Sequence, residues 1–286
     1  MARTWIAVTI TCMTDVQELL IPFLWESGAN GFMEGENDIT AYIPEQLWND
    51  EVSKRFSLYQ EKLQAEGKVI SGVQITSIED QNWNEEWEKT IEPIQATDHI
   101  IIRPSWSPVI PQTGLIVLTI NPKMSFGTGY HETTRLMLRM LENVIHPGDR
   151  VLDIGTGTGV LAIASVRLGA SLAIGVDNDE WSYDNALENV ALNDVASRVI
   201  VRSGSIGSVQ ENDFNLVLAN INYKIIVEMI EELLEHTASG GHLLISGITD
   251  SDEKRLCDIL ASSGCTIEEI LREAEWIGIT ALKRPL

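Results

Sequence analysis

The sequence predicts an α/β protein, in which a seven-stranded, mostly parallel Rossmann-like sheet follows a small N-terminal ferredoxin-like α+β domain. Two patterns support this prediction. From Asp149 onward, short apolar strands alternate with helices, which is the order of a parallel sheet covered on both faces. Before residue 80, the predicted elements follow the order β-α-β-β-α-β of a ferredoxin-like unit. A chain of 286 residues is long enough for two unequal domains.

The first domain is predicted over residues 1–80. It contains five Lys and Arg residues against thirteen Asp and Glu residues, and its sequence has no recognisable catalytic cluster. These features favour a recognition or oligomerisation module. Its predicted elements are a strand over 3–12, a helix that Gly28 ends, strands over 31–34 and 39–43, a helix over 47–65 and a strand over 72–78.

Residues 81–93 are predicted to form a polar linker helix with two tryptophans, and residues 94–286 form the second domain. Two apolar strands, over 100–102 and 115–118, flank a proline-rich turn at its start. The strands predicted after Asp149 are Val151–Ile154, Ala173–Val176, Val199–Arg202, Leu216–Ala219 and His242–Ser246, and the helices between and after them are Val160–Leu168, Trp181–Asn193, Lys224–His236 and Asp252–Ser263.

The C-terminal end of the chain indicates which kind of Rossmann-like sheet is present. The last two predicted strands, Thr266–Arg272 and Ile277–Lys283, have no helix between them. They must therefore pair as a hairpin, which places an antiparallel strand in the parallel sheet. That ending is typical of a Rossmann-like methyltransferase sheet, whereas the sheets of nucleotide-dependent dehydrogenases usually lack it.

A glycine-rich turn follows the first strand of this sheet, in the run VLDIGTGTG from Val151 to Gly159. Such a turn places bare backbone at the carboxyl edge of the sheet, where ligands bind in open α/β folds. A dinucleotide site would need a further glycine at the position of Val160. The spacing found here, after the acidic Asp153, instead favours S-adenosyl-L-methionine, with Gly155 and Gly157 as candidate cofactor contacts.

The second strand ends in Asp177, whose carboxylate can accept hydrogen bonds from both ribose hydroxyls of a nucleoside. The alternative is that Asp177 caps the following helix, but Asp179 is better placed for that task. We therefore predict that Asp177 binds the cofactor.

The fourth strand ends in the run LANINY, from Leu218 to Tyr223. It resembles the Asn-Pro-Pro-Tyr motif of amino-group methyltransferases, with Ile221 and Asn222 in place of the prolines. The resemblance makes Asn220 the candidate catalytic residue, since the asparagine of that motif accepts a hydrogen bond from the target nitrogen. Asn222 can also act as the N-cap of the next helix, which is compatible with a functional Asn220.

A third motif is the run FGTGYHETT from Phe126 to Thr134. It resembles the Phe-Gly-Thr-Gly-x-His-x-Thr-Thr signature of the PrmA family, the methyltransferases of the large-subunit ribosomal protein L-eleven, and the resemblance extends over most of the chain. It implies that Thr134, Gly155, Asp177 and Asn220 contact the cofactor and that Phe126 and His131 help to close the pocket. The family methylates lysine ε-amines and an N-terminal α-amine. The chain departs from the usual pattern at residues 121–125.

The net charge of −22 makes direct binding to nucleic acid or to an anionic membrane unfavourable and would attract a basic partner, although acidity can also serve solubility alone. The three cysteines and five histidines are scattered, so neither a metal site nor a disulfide is expected. No apolar run is long enough to span a membrane, and the N-terminus lacks the pattern of a signal peptide. We therefore expect a cytoplasmic enzyme whose partner is a basic ribosomal protein of the large subunit.

The sequence also allows two other kinds of function. The chain could methylate another protein, a small-molecule amine or a nucleic acid, or it could bind a nucleotide without catalysis. An NAD-dependent oxidoreductase is disfavoured by Val160. The sequence contains no obvious general base, since His131 is as suited to packing or hydrogen bonding as to proton transfer.

Overall fold

The computed structural model describes residues 4–35, 37–79, 91–108, 114–123 and 125–285. Backbone contacts divide the chain into two compact units, Met1–Trp83 and Asn84–Leu286. The division falls within the segment predicted as a linker helix. Most of that segment, residues 81–90, lies outside the described residues.

The N-terminal unit is a four-stranded antiparallel sheet with two helices, and its elements occur in the predicted order β-α-β-β-α-β. Its strands lie side by side in the order β2-β3-β1-β4. Alternate side chains of β1, among them Ile6, Val8 and Ile10, are buried in a core that α1 and α2 also line. The elements are β1 (Thr4–Cys12), α1 (Thr14–Glu26), β2 (Gly31–Glu34), β3 (Asp38–Pro44), α2 (Asp50–Ala65) and β4 (Ile70–Glu79).

The C-terminal unit begins with a small three-stranded sheet formed by β5 (Ile94–Gln95), β6 (Ile100–Arg103) and β7 (Ile116–Thr119). The pairing is antiparallel between β5 and β6 and parallel between β6 and β7. Buried residues of β6 and β7 belong to the same apolar core as the helices of the main sheet. This small sheet leads directly into the segment that carries the signature motif.

The main sheet has seven strands in the order β10-β9-β8-β11-β12-β14-β13. The strands from β10 to β12 are parallel, and apolar residues cover both faces, as the alternation of strands and helices predicted. The elements are α3 (Glu132–Val144), β8 (Arg150–Ile154), α4 (Val160–Leu168), β9 (Leu172–Asp177), α5 (Glu180–Leu192), β10 (Val199–Ser203), β11 (Phe214–Asn220), α6 (Tyr223–His236), β12 (Thr237–Thr249), α7 (Glu253–Ser262), β13 (Cys265–Glu273) and β14 (Trp276–Lys283).

The predicted C-terminal hairpin is confirmed. β14 lies between β12 and β13 and is antiparallel to both. Because its direction is reversed, its first residue, Trp276, pairs with Thr249 at the end of β12. The start of β14 therefore lies at the same edge of the sheet as the carboxyl ends of the parallel strands.

No helix of the described part of the chain is long and apolar enough to cross a membrane. Within the same residues, no group of three or more His, Cys, Asp or Glu side chains is arranged to hold a metal ion.

Candidate active site

Three of the predicted site residues lie in a row at the carboxyl edge of the main sheet. In the strand register, Ile154 of β8 pairs with Val176 of β9 on one side and with Ala219 of β11 on the other. The next residue of each strand is a predicted site residue, so Gly155 lies between Asp177 and Asn220. This edge is the ligand-binding edge of open α/β sheets.

The glycine turn has no room for side chains at two positions. Gly155 and Gly157 both have positive φ angles, of 70° and 54°. A Cβ atom on Gly155 would lie 2.4 Å from the Cγ2 atom of Ile221, and one on Gly157 would lie 2.3 Å from the carbonyl oxygen of Phe126. Glycine is therefore required at both positions by backbone conformation and by close approach.

Asp177 is hydrogen-bonded to the glycine turn. Its Oδ2 atom accepts a hydrogen bond of 2.8 Å from the N–H of Gly157, and its Oδ1 atom accepts one of 3.0 Å from the N–H of Asp179. The cap of α5 is Asp179, whose carboxylate accepts from the N–H of Ser182 at 3.0 Å. Asp179, and not Asp177, is thus the helix cap, as the sequence analysis favoured.

Asn220 and Asn222 have separate roles. Asn222 caps α6, since its side chain accepts a 2.9 Å hydrogen bond from the N–H of Lys224. The Oδ1 atom of Asn220 is buried and has no hydrogen-bond partner among the described residues. Leaving a buried acceptor unpaired costs about 1–3 kcal/mol, so such an atom marks a position where a ligand can contribute the missing donor.

The hydroxyl of Thr134 is a second buried polar group without a hydrogen-bond partner among the described residues. Thr134 lies in the first turn of α3 and is fully buried. The hydroxyl of Ser125, also buried, likewise has no partner within the described part of the chain. Unpaired polar atoms and bare glycine backbone are what a site for a polar nucleoside requires, so the residues present fit the predicted cofactor.

Asp153 lies beneath the glycine turn and is fully buried. Burial raises the pKa of its carboxyl group to about 7, since removal from water disfavours the charged form. The hydroxyl of Thr156, which donates a 2.6 Å hydrogen bond to Asp153, opposes this rise, whereas the negative charge of Asp177 adds to it.

His131 is the N-cap of α3. Its Nδ1 atom accepts a 3.3 Å hydrogen bond from the N–H of Thr133 and lies 2.9 Å from the Oγ1 atom of the same residue. The imidazole ring also packs edge-on between two aromatic rings, 5.0 Å from Phe126 and 4.8 Å from Trp276 between centroids. Both observations favour a packing and capping role over proton transfer.

The segment from Phe126 to Thr134, which we call the signature segment, contacts the glycine turn directly. The backbone N–H of Thr158 donates to the carbonyl oxygen of Phe126 at 2.9 Å, and the Thr158 hydroxyl donates to the carbonyl oxygen of Gly127 at 2.7 Å. The structure thus links six of the seven predicted residues: Gly155, Asp177 and Asn220 lie in one row, Gly157 approaches the Phe126 carbonyl, and the His131 ring packs on Phe126. The seventh, Thr134, follows His131 in the first turn of α3.

Sequence reasoning missed two features of this site. Trp276 joins the aromatic group of Phe126 and His131, and the signal for it was an aromatic residue at the start of the one antiparallel strand that returns to this edge. Three asparagines, two in α5 and one directly after it, also hold the segment that enters the site, and one of them contacts the glycine turn. Their signal was the four-residue spacing of Asn185, Asn189 and Asn193, which places them on one face of a helix.

Comparison with known proteins adds independent information. The model of a protein family described as "Ribosomal protein L11 methyltransferase (PrmA)" matches residues 4–284. A ribosomal protein L11 methyltransferase of Chlorobaculum tepidum is 36% identical over 276 residues, which cover 95% of this chain and 93% of that protein. A protein of the same name from Syntrophomonas wolfei is 32% identical, over 85% of this chain and 78% of that protein.

Solved structures include a similar protein as well. The crystal structure of a ribosomal protein L11 methylase from Lactobacillus delbrueckii subsp. bulgaricus is 29% identical in sequence and superposes with a TM-score of 0.64. The superposition covers 68% of this chain and 100% of that one.

Proposed function

The chain belongs to the ribosomal protein L11 methyltransferase (PrmA) family, and on that premise we propose that it transfers methyl groups from S-adenosyl-L-methionine to amines of ribosomal protein L11. Its seven-stranded sheet with an antiparallel β14 is the methyltransferase form of the Rossmann-like fold. The observation that carries the proposal is the buried Oδ1 atom of Asn220 beside the glycine turn, for which the described residues provide no hydrogen-bond partner.

We propose that the cofactor is held by four groups at this edge. The bare backbone of Gly155 and Gly157 admits the methionine end, the Asp177 carboxylate accepts hydrogen bonds from the ribose hydroxyls, and the Thr134 hydroxyl supplies a further polar contact. The proposal is supported by the positive φ angles of both glycines, which leave bare backbone at the ligand-binding edge, and by the Thr134 hydroxyl, which has no hydrogen-bond partner among the described residues. Phe126 and His131 would close the pocket.

When bound, S-adenosyl-L-methionine supplies a methyl group on a positively charged sulfur, which an amine can attack in line. The part of Asn220 is to orient that amine. Its Oδ1 atom can accept a hydrogen bond from the amine N–H, which fixes the direction of the nitrogen lone pair. An amide oxygen suits this purpose because it does not take up the proton of the nucleophile.

The amine must also be neutral before it can react. A lysine side chain has a pKa near 10.4, so forming the neutral amine at pH 7.5 costs about 4 kcal/mol. Entry into a site partly walled by the rings of Phe126, His131 and Trp276 lowers the pKa of an amine by desolvation and offsets part of that cost. We propose that the released proton passes to water, since the Nδ1 atom of His131 is occupied by the helix cap.

The substrate assignment depends on the relatives and on charge. The proteins that match this chain over most of its length are named for ribosomal protein L11. The net charge of −22 supports a basic protein partner and disfavours direct contact with RNA, and the N-terminal domain, itself acidic, is the proposed substrate-recognition module. A cytoplasmic location would place the enzyme together with newly made ribosomal proteins.

The test is methyl transfer from radiolabelled S-adenosyl-L-methionine to recombinant L11 that has never been methylated, with mass spectrometry to locate the methyl groups. We expect label on amines of L11 and none when fully methylated L11 is supplied. Label on ribosomal RNA or on free amines, with L11 unlabelled, would contradict the substrate. Calorimetric binding of NAD in preference to S-adenosyl-L-methionine would contradict the cofactor.

A further inference from the structure

Helix α5 and its C-cap residue, Asn193, present three asparagines with an unusual set of contacts. Asn185, Asn189 and Asn193 are four residues apart and thus lie on one face of the helical path, and all three are at most 4% exposed. Asparagine is a poor helix former, since its side chain competes for backbone hydrogen bonds. Three buried copies on one face therefore need a specific partner. We call these three residues the asparagine ladder.

The ladder pairs with extended backbone at and just after the end of β7. The Oδ1 atom of Asn193 accepts from the N–H of Thr119 at 2.9 Å, and its Nδ2 atom donates to the Thr119 carbonyl at 2.7 Å. Asn189 does the same with Asn121, at 2.8 and 3.1 Å. The side-chain amides of Asn189 and Asn193 thus each act as the peptide group of a neighbouring strand, offering one donor and one acceptor in register. Asn185 contributes a donor, with a 2.9 Å hydrogen bond from its Nδ2 atom to the Asn121 carbonyl.

Asn189 makes one contact that Asn193 does not. Its Nδ2 atom also donates a 2.9 Å hydrogen bond to the carbonyl oxygen of Thr158, in the glycine turn. The additional bond of Asn193 instead goes to the carbonyl oxygen of Asn189 within the helix path. One amide therefore holds two segments of the site, the segment that enters the signature motif and the glycine turn.

Thr158 transmits this restraint to the proposed cofactor contacts. Its N–H donates to the Phe126 carbonyl, and the residue before it, Gly157, donates to Asp177. The Thr158 carbonyl that Asn189 holds is one residue from Gly157, whose Cβ position would lie only 2.3 Å from the Phe126 carbonyl oxygen, so little displacement of the turn is tolerated there. The geometry at Gly157 is thus set partly by a side chain on α5.

We propose that Asn189 is a positioning residue for the cofactor, which fixes the glycine turn against the signature segment so that the bound nucleoside meets a preformed site. The inference rests on the proposed function for the identity of the ligand. Within the described part of the chain, the side chain of Asn189 is hydrogen-bonded to the site through Thr158 and Asn121. Its effect is therefore on cofactor affinity, and the chemical step at Asn220 is affected only indirectly.

The test compares Asn189→Leu with Asn193→Leu, two buried substitutions of equal size and chemistry that each remove a two-bond pairing with the β7 segment. Only the first removes the bond to Thr158. Calorimetry with S-adenosyl-L-methionine is expected to show an increase in Kd of at least tenfold for Asn189→Leu and of less than twofold for Asn193→Leu. In turnover, the KM for the cofactor should rise in parallel, with kcat at saturating cofactor within about threefold of the wild type.

A readout without any ligand keeps the inference separate from the proposed function. Amide hydrogen exchange of the segments 126–128 and 156–159 should be faster in Asn189→Leu by tenfold or more and unchanged in Asn193→Leu. Asn189→Ser serves as a milder variant if the leucine variant does not fold. Equal effects of the two asparagine positions, on exchange or on Kd, would overturn the inference, whereas a wild-type chain that does not bind S-adenosyl-L-methionine would overturn the proposed function instead.

Discussion

The side-chain hydroxyl of Thr158 donates a 2.7 Å hydrogen bond to the carbonyl oxygen of Gly127, and the bond is buried. It joins the glycine turn to the signature segment, two motifs that the sequence presents as separate. Because Gly127 follows Phe126, whose carbonyl accepts from the backbone of Thr158, the two segments are joined by a pair of adjacent bonds. The shape of the proposed cofactor site depends on this junction.

Thr158→Val tests the junction, since valine preserves the shape of threonine and removes the hydroxyl. We expect a loss of about 1–3 kcal/mol in the free energy of unfolding, because the Gly127 carbonyl loses a buried partner, and a weaker affinity for S-adenosyl-L-methionine. Thr237→Val is the matched control: it removes a buried 2.8 Å bond to the Leu233 carbonyl, on α6. Denaturant unfolding and calorimetry measure both effects, and an unaltered cofactor Kd in Thr158→Val would contradict the role of the junction.

Gly157→Ala tests the need for bare backbone. The substitution combines a positive φ with a Cβ atom 2.3 Å from the Phe126 carbonyl, so we expect cofactor binding to be lost. Gly148→Ala separates the two causes, since Gly148 also has a positive φ but nothing within 4 Å of its Cβ position. That variant should lose about 1 kcal/mol of stability and keep its cofactor affinity. Calorimetry distinguishes the two, and binding by Gly157→Ala would contradict the argument from close approach.

The sequence predicted those features of the fold and site that local patterns encode. The glycine spacing, the carboxylate after the second strand and the lack of a helix between the last two strands each constrain a short segment. The carboxyl ends of parallel strands meet at one edge of a sheet, so residues that follow such strands lie at the same edge. The order of the strands, which places Gly155 between Asp177 and Asn220, comes from the structure.

Features that depend on distant pairs of residues were not predictable in the same way. Asn189 is separated by 68 residues from Asn121 and by 31 from Thr158, and no periodicity relates them. Trp276 reaches the site only because β14 runs against its neighbours. The contacts of Asn189 and Trp276 can be identified only from the packed structure. The partner of a buried amide or of an aromatic ring depends on which distant segments of the chain lie next to each other.

Asn220→Ala tests the orienting role of the unpaired amide. We expect kcat to fall by about 100-fold or more with cofactor Kd within a few-fold of the wild type, because the lost hydrogen bond is made with the attacking amine. Asn222→Ala is the control two residues away, since it removes the cap of α6 and should cost about 1 kcal/mol of stability with kcat maintained. Steady-state kinetics and thermal unfolding measure both variants. Full turnover by Asn220→Ala would rule out the role.

Asp153 makes stability depend on pH. Its pKa in the folded chain is about 7, above the value of 3.8 for an exposed aspartate, so ionisation favours the unfolded state. The contribution of Asp153 is therefore fully present below pH 4, is lost as the pH rises to 7 and is constant above that.

Asp153→Asn, which can still accept from the Thr156 hydroxyl, removes this titration. Relative to the wild type, the variant should gain stability between pH 4 and 8, by up to about 4 kcal/mol, since each pKa unit corresponds to about 1.4 kcal/mol. Denaturant unfolding at several pH values gives the difference, with Asp258→Asn at an exposed position of α7 as the control for the loss of one negative charge. Burial is the main cause of the raised pKa, so a buried Asp153 must titrate within this range. A stability difference between Asp153→Asn and the wild type that does not change with pH would show that the carboxyl group does not titrate there.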